Sequence, residues 1–167
     1  PIQVKPQPGR TWALEKSPVR HRATFRRLQG VSHFLAAYDV HRDRLWMHQK
    51  KRKRWQEVLS FLKSIRRRYP KDRHLYIVLD NMRTHSKMEV VDWCQKNNIN
   101  FVFTATNASW MNRIECHFAP AKQFVMSNSD HPDHKTIGRA MQDYVRWRNK
   151  DAKNKKILKA QNKVRVL

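Results

Sequence analysis

The sequence predicts an α/β fold, a mixed sheet flanked by helices, and three observations carry that reading. Between residues 33 and 104, apolar runs of strand length alternate with segments whose apolar residues recur every three or four positions. Strand, helix, strand, helix, strand in that order implies α/β packing with a parallel component. A chain of 167 residues is also long enough for one domain burying roughly two-thirds of its unfolded surface, so one core is expected.

Residues 1–30 hold four of the seven prolines and two of the three glycines, with seven Lys or Arg and Glu15 as the acid, which predicts an extended, poorly periodic arm. HFLAAYDV (33–40) and RLWMHQ (44–49) read as strands joined through His41 to Asp43, a link that suits a β-hairpin. From Trp55 the apolar residues fall at Val58, Leu59, Leu62, Ile65 and Tyr69, and Pro70 follows, which predicts an amphipathic helix. HLYIVL (74–79) is a strand, 86–97 a helix with Val90, Val91 and Cys94 inward, and INFVFT (99–104) another strand. Two further helices are predicted over 110–126 and 134–148, the second with Ile137, Ala140, Met141, Tyr144 and Val145 as one stripe. Pro120 lies inside the first, at a typical cost near ~3 kcal/mol, so a kink or restart is expected there. The domain is read as 1–149, and 150–167 as a lysine-rich tail whose acid is Asp151.

Charge bounds the partners. With 36 Lys plus Arg against 13 Asp plus Glu, the net charge is +23, and such self-repulsion destabilises a compact chain unless an anionic partner neutralises it. Nucleic acid is the natural candidate. No apolar run approaches the ~18 residues that span a bilayer, and no signal-peptide pattern opens the chain, so no membrane partner is expected. Cys94 and Cys116 lie far apart, without the Cys-x-x-Cys spacing of zinc or redox sites. The chain reads as intracellular, in a reducing compartment.

In a chain this poor in acids, two carboxylates stand out. Asp80 ends the run IVLD, at the carboxyl end of a strand, where open α/β sheets present ligand-binding side chains on a rigid mount. The structural alternative is that Asp80 or Asn81 caps the turn into the next helix. Glu115, in SWMNRIECHF (109–118), falls on the flank of the stripe Trp110, Ile114, Phe118, Ala121 and Val125. It could reach a site at the rim of the core, or pair with a neighbour such as Arg113.

LDN and His85, then a Glu in SWMNRIE after thirty-four intervening residues from Asp80, then YVRWRN, closely resemble the mariner-like insertion-sequence transposases of bacteria, which carry a DDE catalytic domain. The likeness runs from Pro8, Gly9 and Trp12 to Asn149. It implies a ribonuclease H-like fold in which Asp80 is the second and Glu115 the third of three metal-binding carboxylates, with two Mg²⁺ or Mn²⁺ ions as cofactors. It implies strand transfer on DNA, with transposon ends and target as partners, together with copies of the chain or a full-length transposase, in the bacterial cytoplasm at the nucleoid. The chemistry suits the residues: two ions about 3.5–4 Å apart stabilise the attacking and leaving oxygens together, and hard cations prefer carboxylate ligands. Two departures stand against the pattern. Thr104, Ala105 and Thr106 replace the usual Thr-Pro-Thr. The family's first Asp would precede Pro1, so the chain is expected to lack it together with the central strand, and to be inactive alone. Asp39 also ends an apolar strand and is the third carboxylate a reader without the family would choose. The resemblance aligns it with the following strand, as a hairpin residue.

Lys50, Lys51, Arg52, Lys53 and Arg54 run consecutively where a helix begins, an end whose dipole repels cations and favours a bound phosphate. DNA backbone contact and a solvated charge run are the two readings. Asn81, His85, Asn112 and Arg113, neighbours of the two carboxylates, are assigned to DNA contact, and His117 is a further candidate. Arg66, Arg67 and Arg68 suit the helix C-terminus structurally. Trp12 and Phe25, among Arg10, Arg20, Arg22, Arg26 and Arg27, could stack on unpaired bases or pack beneath the arm. Trp93, Trp110 and Trp147 are assigned to the core or to domain contacts. Beside the transposase reading stand a non-catalytic DNA-binding remnant and a ribonuclease H-like nuclease on RNA–DNA hybrids.

Overall fold

The computed structural model describes residues 1–10, 12–17, 20–22, 24, 29–106, 108 and 111–150. Phe25, Arg26, Arg27, Trp110 and the tail 151–167 lie outside the described residues. Where chain length predicts one core, the chain divides into two compact units, one of residues 1–49 and 116–167, the other of 50–115. The physical reason is strand pairing. Among the described residues, the antiparallel and parallel components form two separate sheets rather than one mixed sheet.

In the first unit, β1 (Ile2–Gln3) pairs antiparallel with the start of β2 (Val31–Asp39), with Ile2 opposite Ser32. β2 turns back into β3 (Arg44–Lys50), and so short a link can only join antiparallel neighbours. The carboxylate of Asp39 accepts the N–H groups of His41 and Arg42 at 2.8 and 2.9 Å, so Asp39 is the hairpin residue its alignment implied. Asp43 closes the turn in the left-handed region, at φ 51°. It is only 3 % exposed, and its carboxylate is held by the Arg148 guanidinium and, at 2.8 Å, by the Tyr38 hydroxyl.

Arg148 belongs to α4 (His134–Lys150), which is stitched along β3 by amide side chains. Asn149 pairs with Leu45 as a neighbouring strand would, accepting its N–H at 2.9 Å and donating to its carbonyl at 2.8 Å. Gln142 donates to the Met47 carbonyl, and Gln49 donates to the His134 carbonyl at 2.8 Å. Beneath these bonds Leu45 and Met47 of β3 are buried together with Ile137, Met141, Tyr144 and Val145 of the predicted stripe, whose Ala140 is half-buried. α3 (Glu115–Met126) buries His117, Ala121, Val125 and Met126. It starts five residues later than the apolar spacing predicts and runs through Pro120 as one helix, without the expected restart. The arm's Gln7 N–H donates to the Ser129 carbonyl at 2.8 Å, and the Asn128 N–H donates to the Pro8 carbonyl at 3.2 Å. Gly9 permits this approach, since a Cβ there would lie 2.3 Å from the Asn128 nitrogen.

In the second unit, α1 (Trp55–Arg66), β4 (Leu75–Leu79), α2 (Met88–Gln95) and β5 (Ile99–Phe103) follow the predicted order. β4 and β5 are parallel, in register from Leu75 with Ile99 to Leu79 with Phe103. Val58, Leu62, Val90, Cys94 and Ile99 form the core, with Trp55, Leu75, Ile77, Trp93 and Phe101 packed against it, so Trp93 is where it was assigned. Burial pushes the Cys94 thiol up to about 11, which keeps it protonated and unreactive. α1 ends at Arg66 rather than Tyr69, and the reason is the Arg66 side chain. Only 7 % exposed, it donates to the carbonyls of Asn97 at 2.8 Å, Pro70 and Lys71 at 2.7 Å, and Arg73 at 3.2 Å, folding the link to β4 around itself. This bears out the structural reading of that arginine.

Replacing Arg148 by Met leaves the Asp43 carboxylate buried without its cation. Urea denaturation of that variant is expected to show a loss of about 3–5 kcal/mol. A loss below about 1 kcal/mol would mean the pair is dispensable.

Candidate active site at the end of a parallel strand pair

Both sequence-derived carboxylates lie in the second unit, and both point to solvent. Asp80 follows directly on β4, and its side chain is 52 % exposed. The strand ends are braced immediately beneath it: Thr104 N–H donates to the Leu79 carbonyl at 3.0 Å, and the Asn81 side-chain amide donates to the Thr104 carbonyl at 2.8 Å. Asn81 therefore acts first as a clamp between the two strand ends. The register signals this, because residues 80 and 104 are the first past paired strand termini and both neighbourhoods turn polar at once. Thr104, 9 % exposed, is a site-building residue that the sequence marked only as part of a departure from the family pattern, not for this role.

His85 lies against Asp80. Its Nδ1 is 3.3 Å from Asp80 Oδ1 and 3.0 Å from the Asp80 carbonyl, an arrangement set by the turn in which the His85 N–H donates to the Met82 carbonyl at 2.8 Å. His85 thus orients the carboxylate. Glu115 is the first residue of α3 rather than a mid-helix flank residue, because the turn before it is closed by Asn112. The Asn112 side chain accepts the Ile114 N–H at 3.3 Å, and its carbonyl accepts the Glu115 N–H at 3.0 Å. A carboxylate at that position is favoured by the helix dipole. The buried stripe of α3 runs through His117, Ala121 and Val125, whereas Phe118 is 39 % exposed.

The basic run divides by role. Lys51, Arg52 and Lys53 are exposed, and Lys50 Nζ lies 3.4 Å from the Ser60 hydroxyl. Arg54 is the residue before α1, and its guanidinium is bound to Glu57 at 2.7 Å. The Glu57 carboxylate also accepts the Arg54 backbone N–H at 3.2 Å, and the guanidinium bond holds Glu57 below the usual carboxylate range. An arginine has no acceptor to return to the helix, so this is one half of a capping box. Arg113 is exposed beside Glu115.

His117 is not a surface contact. It is 4 % exposed, with its ring 4.2 Å from the Tyr38 ring. Burial, then the Arg148 charge, push it down to about 4 against the opposing pull of Asp43. The packing reading of Trp12 does not hold either, since its side chain is fully exposed. Trp147, assigned to the core or to domain contacts, is 45 % exposed.

Asp80 and Glu115 supply hard oxygens of the kind Mg²⁺ or Mn²⁺ requires. In number they fall short: among the described residues, no group of three or more His, Cys, Asp or Glu could hold a metal ion. The donors fit in kind but do not by themselves complete a site.

The family model described as DDE superfamily endonuclease matches residues 1–138. No curated protein matches the chain. Among solved structures, the Mos1 strand transfer complex is similar at 13 % identity and a TM-score of 0.68, over 97 % of this chain and 48 % of that one. The Mos1 transposase paired-end complex with left transposon end gives 11 % identity and a TM-score of 0.62, over 95 % and 47 %. A simian T-cell lymphotropic virus intasome, in complex with PP2A regulatory subunit B56 gamma, gives 17 % identity and a TM-score of 0.53, over 72 % and 46 %. The chain therefore spans about half the length of these structures, and the likeness shows the fold, the α/β arrangement that the resemblance implied.

Removing the clamp beneath Asp80 is expected to loosen the strand ends. Asn81→Ala should cost about 1–3 kcal/mol in denaturation, and amide hydrogen exchange at Thr104 and Ala105 should accelerate. Unchanged exchange would show that Asn81 does not hold the strand ends.

Proposed function

The chain belongs to the DDE superfamily endonucleases, and from that membership we propose that it is the catalytic domain of a bacterial insertion-sequence transposase. It acts in the cytoplasm on transposon ends and target DNA, with further copies or a full-length transposase as partners. The observation that carries the reading is the exposed Asp80 carboxylate on the braced ends of two parallel strands, in a chain of net charge +23. The names of the similar structures, a strand transfer complex and a paired-end complex with a transposon end, support the same chemistry.

In this reading Asp80 and Glu115 are metal ligands. A divalent cation bound there would activate a water or a 3′-hydroxyl and stabilise the leaving oxygen of a phosphodiester. The chain's own residues prepare for this. Asn81 fixes the strand ends, and His85 holds Asp80 in one orientation. Glu115 is fixed by the turn at Asn112. Lys51, Arg52 and Lys53 take DNA phosphates, a role supported by their exposure. His85 and Arg113 approach the same strand near the carboxylates.

A second reading has its own support, the donor set just described: these residues bind DNA without cutting it unless further ligands are supplied. The two readings combine in one expectation. The 167-residue chain binds DNA and does not nick supercoiled plasmid with Mg²⁺ or Mn²⁺. Robust nicking that disappears in Asp39→Ala would overturn this and make Asp39 the third carboxylate. Such a result would require the His41 and Arg42 amides to release Asp39.

Affinity should fall steeply with salt because phosphate neutralisation releases counterions. Replacing Lys51, Arg52 and Lys53 by Gln is expected to flatten log affinity against log salt by about 0.9 for each phosphate no longer neutralised, measured by fluorescence anisotropy on duplex DNA. Arg54→Gln, whose guanidinium is committed to Glu57, should change that slope least. An unchanged slope in the triple variant would place the cluster away from DNA.

A further inference from the structure

Phe124 of α3 and Trp147 of α4 form a pair of rings that the carboxylate chemistry does not use. They stack at 5.2 Å between centroids with their planes 22° apart. Both remain open, Phe124 at 58 % and Trp147 at 45 % exposure. Tyr144, itself buried, lies 5.3 Å from the first and 6.1 Å from the second and forms their footing. The opposite faces of the two helices are fixed in the core through Val125, Met126, Met141 and Val145, so the rings stand on rigid elements rather than on a loop.

A single exposed aromatic needs no explanation, but two large rings stacked on each other and tilted against a buried third leave open ring surface that this contact does not cover. Their electrostatic setting selects the occupant. Apart from Arg148, which is buried against Asp43, the two helices carry five Lys or Arg against two acids, and one of the acids, Asp143, is already paired with Arg146. Lys150 lies one turn beyond Trp147 and is exposed. A second copy, itself at +23, is repelled from such a face, whereas a polyanion is drawn to it. A ring stacks on the π-face of a base, and in a duplex those faces are already covered by their neighbours.

We propose that Phe124 and Trp147 form a stacking platform for an unpaired base of DNA, from a single-stranded or splayed segment, with Lys150 on the adjoining phosphate. The proposal rests on the DNA reading above and adds a recognition element for strands that are no longer paired. Anisotropy with a labelled single strand and with its duplex tests it on the full chain. Trp147→Ala and Phe124→Ala are each expected to weaken single-strand binding by about tenfold or more while moving duplex binding by less than about twofold. Trp147→Phe, which keeps a ring, should retain most of the single-strand affinity. Should Trp147→Ala melt at lower temperature, Trp147→Leu keeps apolar cover without the ring and reads the same difference. Equal losses on both forms, no loss on the single strand, or a changed sedimentation mass without a single-strand effect would each overturn the platform. If the unaltered chain binds neither form, the DNA reading fails with it; if it binds duplex and only the ring variants are silent, the platform alone fails.

Discussion

The buried pair of Asp43 and Arg148 is the contact to which the first unit refers all its other positions. It joins the hairpin turn to the last turns of α4, places the Tyr38 hydroxyl on the same carboxylate, and sets the Arg148 guanidinium 5.4 Å over the Tyr38 ring. Two buried charges are tolerable only when each meets the other with good geometry and with further hydrogen bonds. Here the Asp43 carbonyl also accepts from Arg148. His117 sits against the same group and stays neutral chiefly because it is buried; the Arg148 charge also opposes a second positive charge, while Asp43 pulls the other way. From this knot the amide side chains of Asn149, Gln142 and Gln49 fix α4 along β3.

That pair also shows how a chain with so few acids distributes them. Asp39 closes a turn, Glu57 starts α1, Asp133 starts α4 by accepting the Thr136 N–H at 2.6 Å, and Asp43 balances a buried arginine. Arg66, equally buried, is satisfied by backbone carbonyls instead. Against that background, Asp80 and Glu115 are carboxylates whose placement costs the fold nothing to expose. The bracing that a functional group needs falls to their neighbours, Asn81 with Thr104 and Asn112 with the start of α3.

Much of this was legible in the sequence. The stripes of α1 and α4 and the runs of β4 and β5 were readable because local periodicity reports burial directly, and the elements stand within a few residues of their expected bounds. Asp39 as a hairpin residue and Asp80 after its strand were legible too. The failures share a cause, since each depends on hydrogen bonds and packing that apolar spacing does not report. SWMNRIECHF carries apolar spacing from Trp110, but the Asn112 side chain competes for the Ile114 N–H and delays the helix. His117 reads as a DNA-contact candidate because the Tyr38 ring and the Arg148 charge, which surround it, come from other elements. Arg148 itself lies in the basic YVRWRN, yet it faces inward to a single aspartate. The division into two sheets is a matter of strand pairing, on which periodicity is silent.

The way Arg66 is held has a consequence for how the molecule tolerates its surroundings. A guanidinium bound by carbonyl dipoles involves no counter-charge that pH can remove, and a buried group is little screened by ions. The contacts proposed for DNA, in contrast, are exposed cations that any electrolyte weakens. The second unit therefore separates two kinds of electrostatics within one short span of chain: brine strong enough to strip a nucleic acid from Lys51, Arg52 and Lys53 leaves the turn between α1 and β4 as it was. On the proposed DNA reading, release from nucleic acid and loss of this turn are thereby uncoupled.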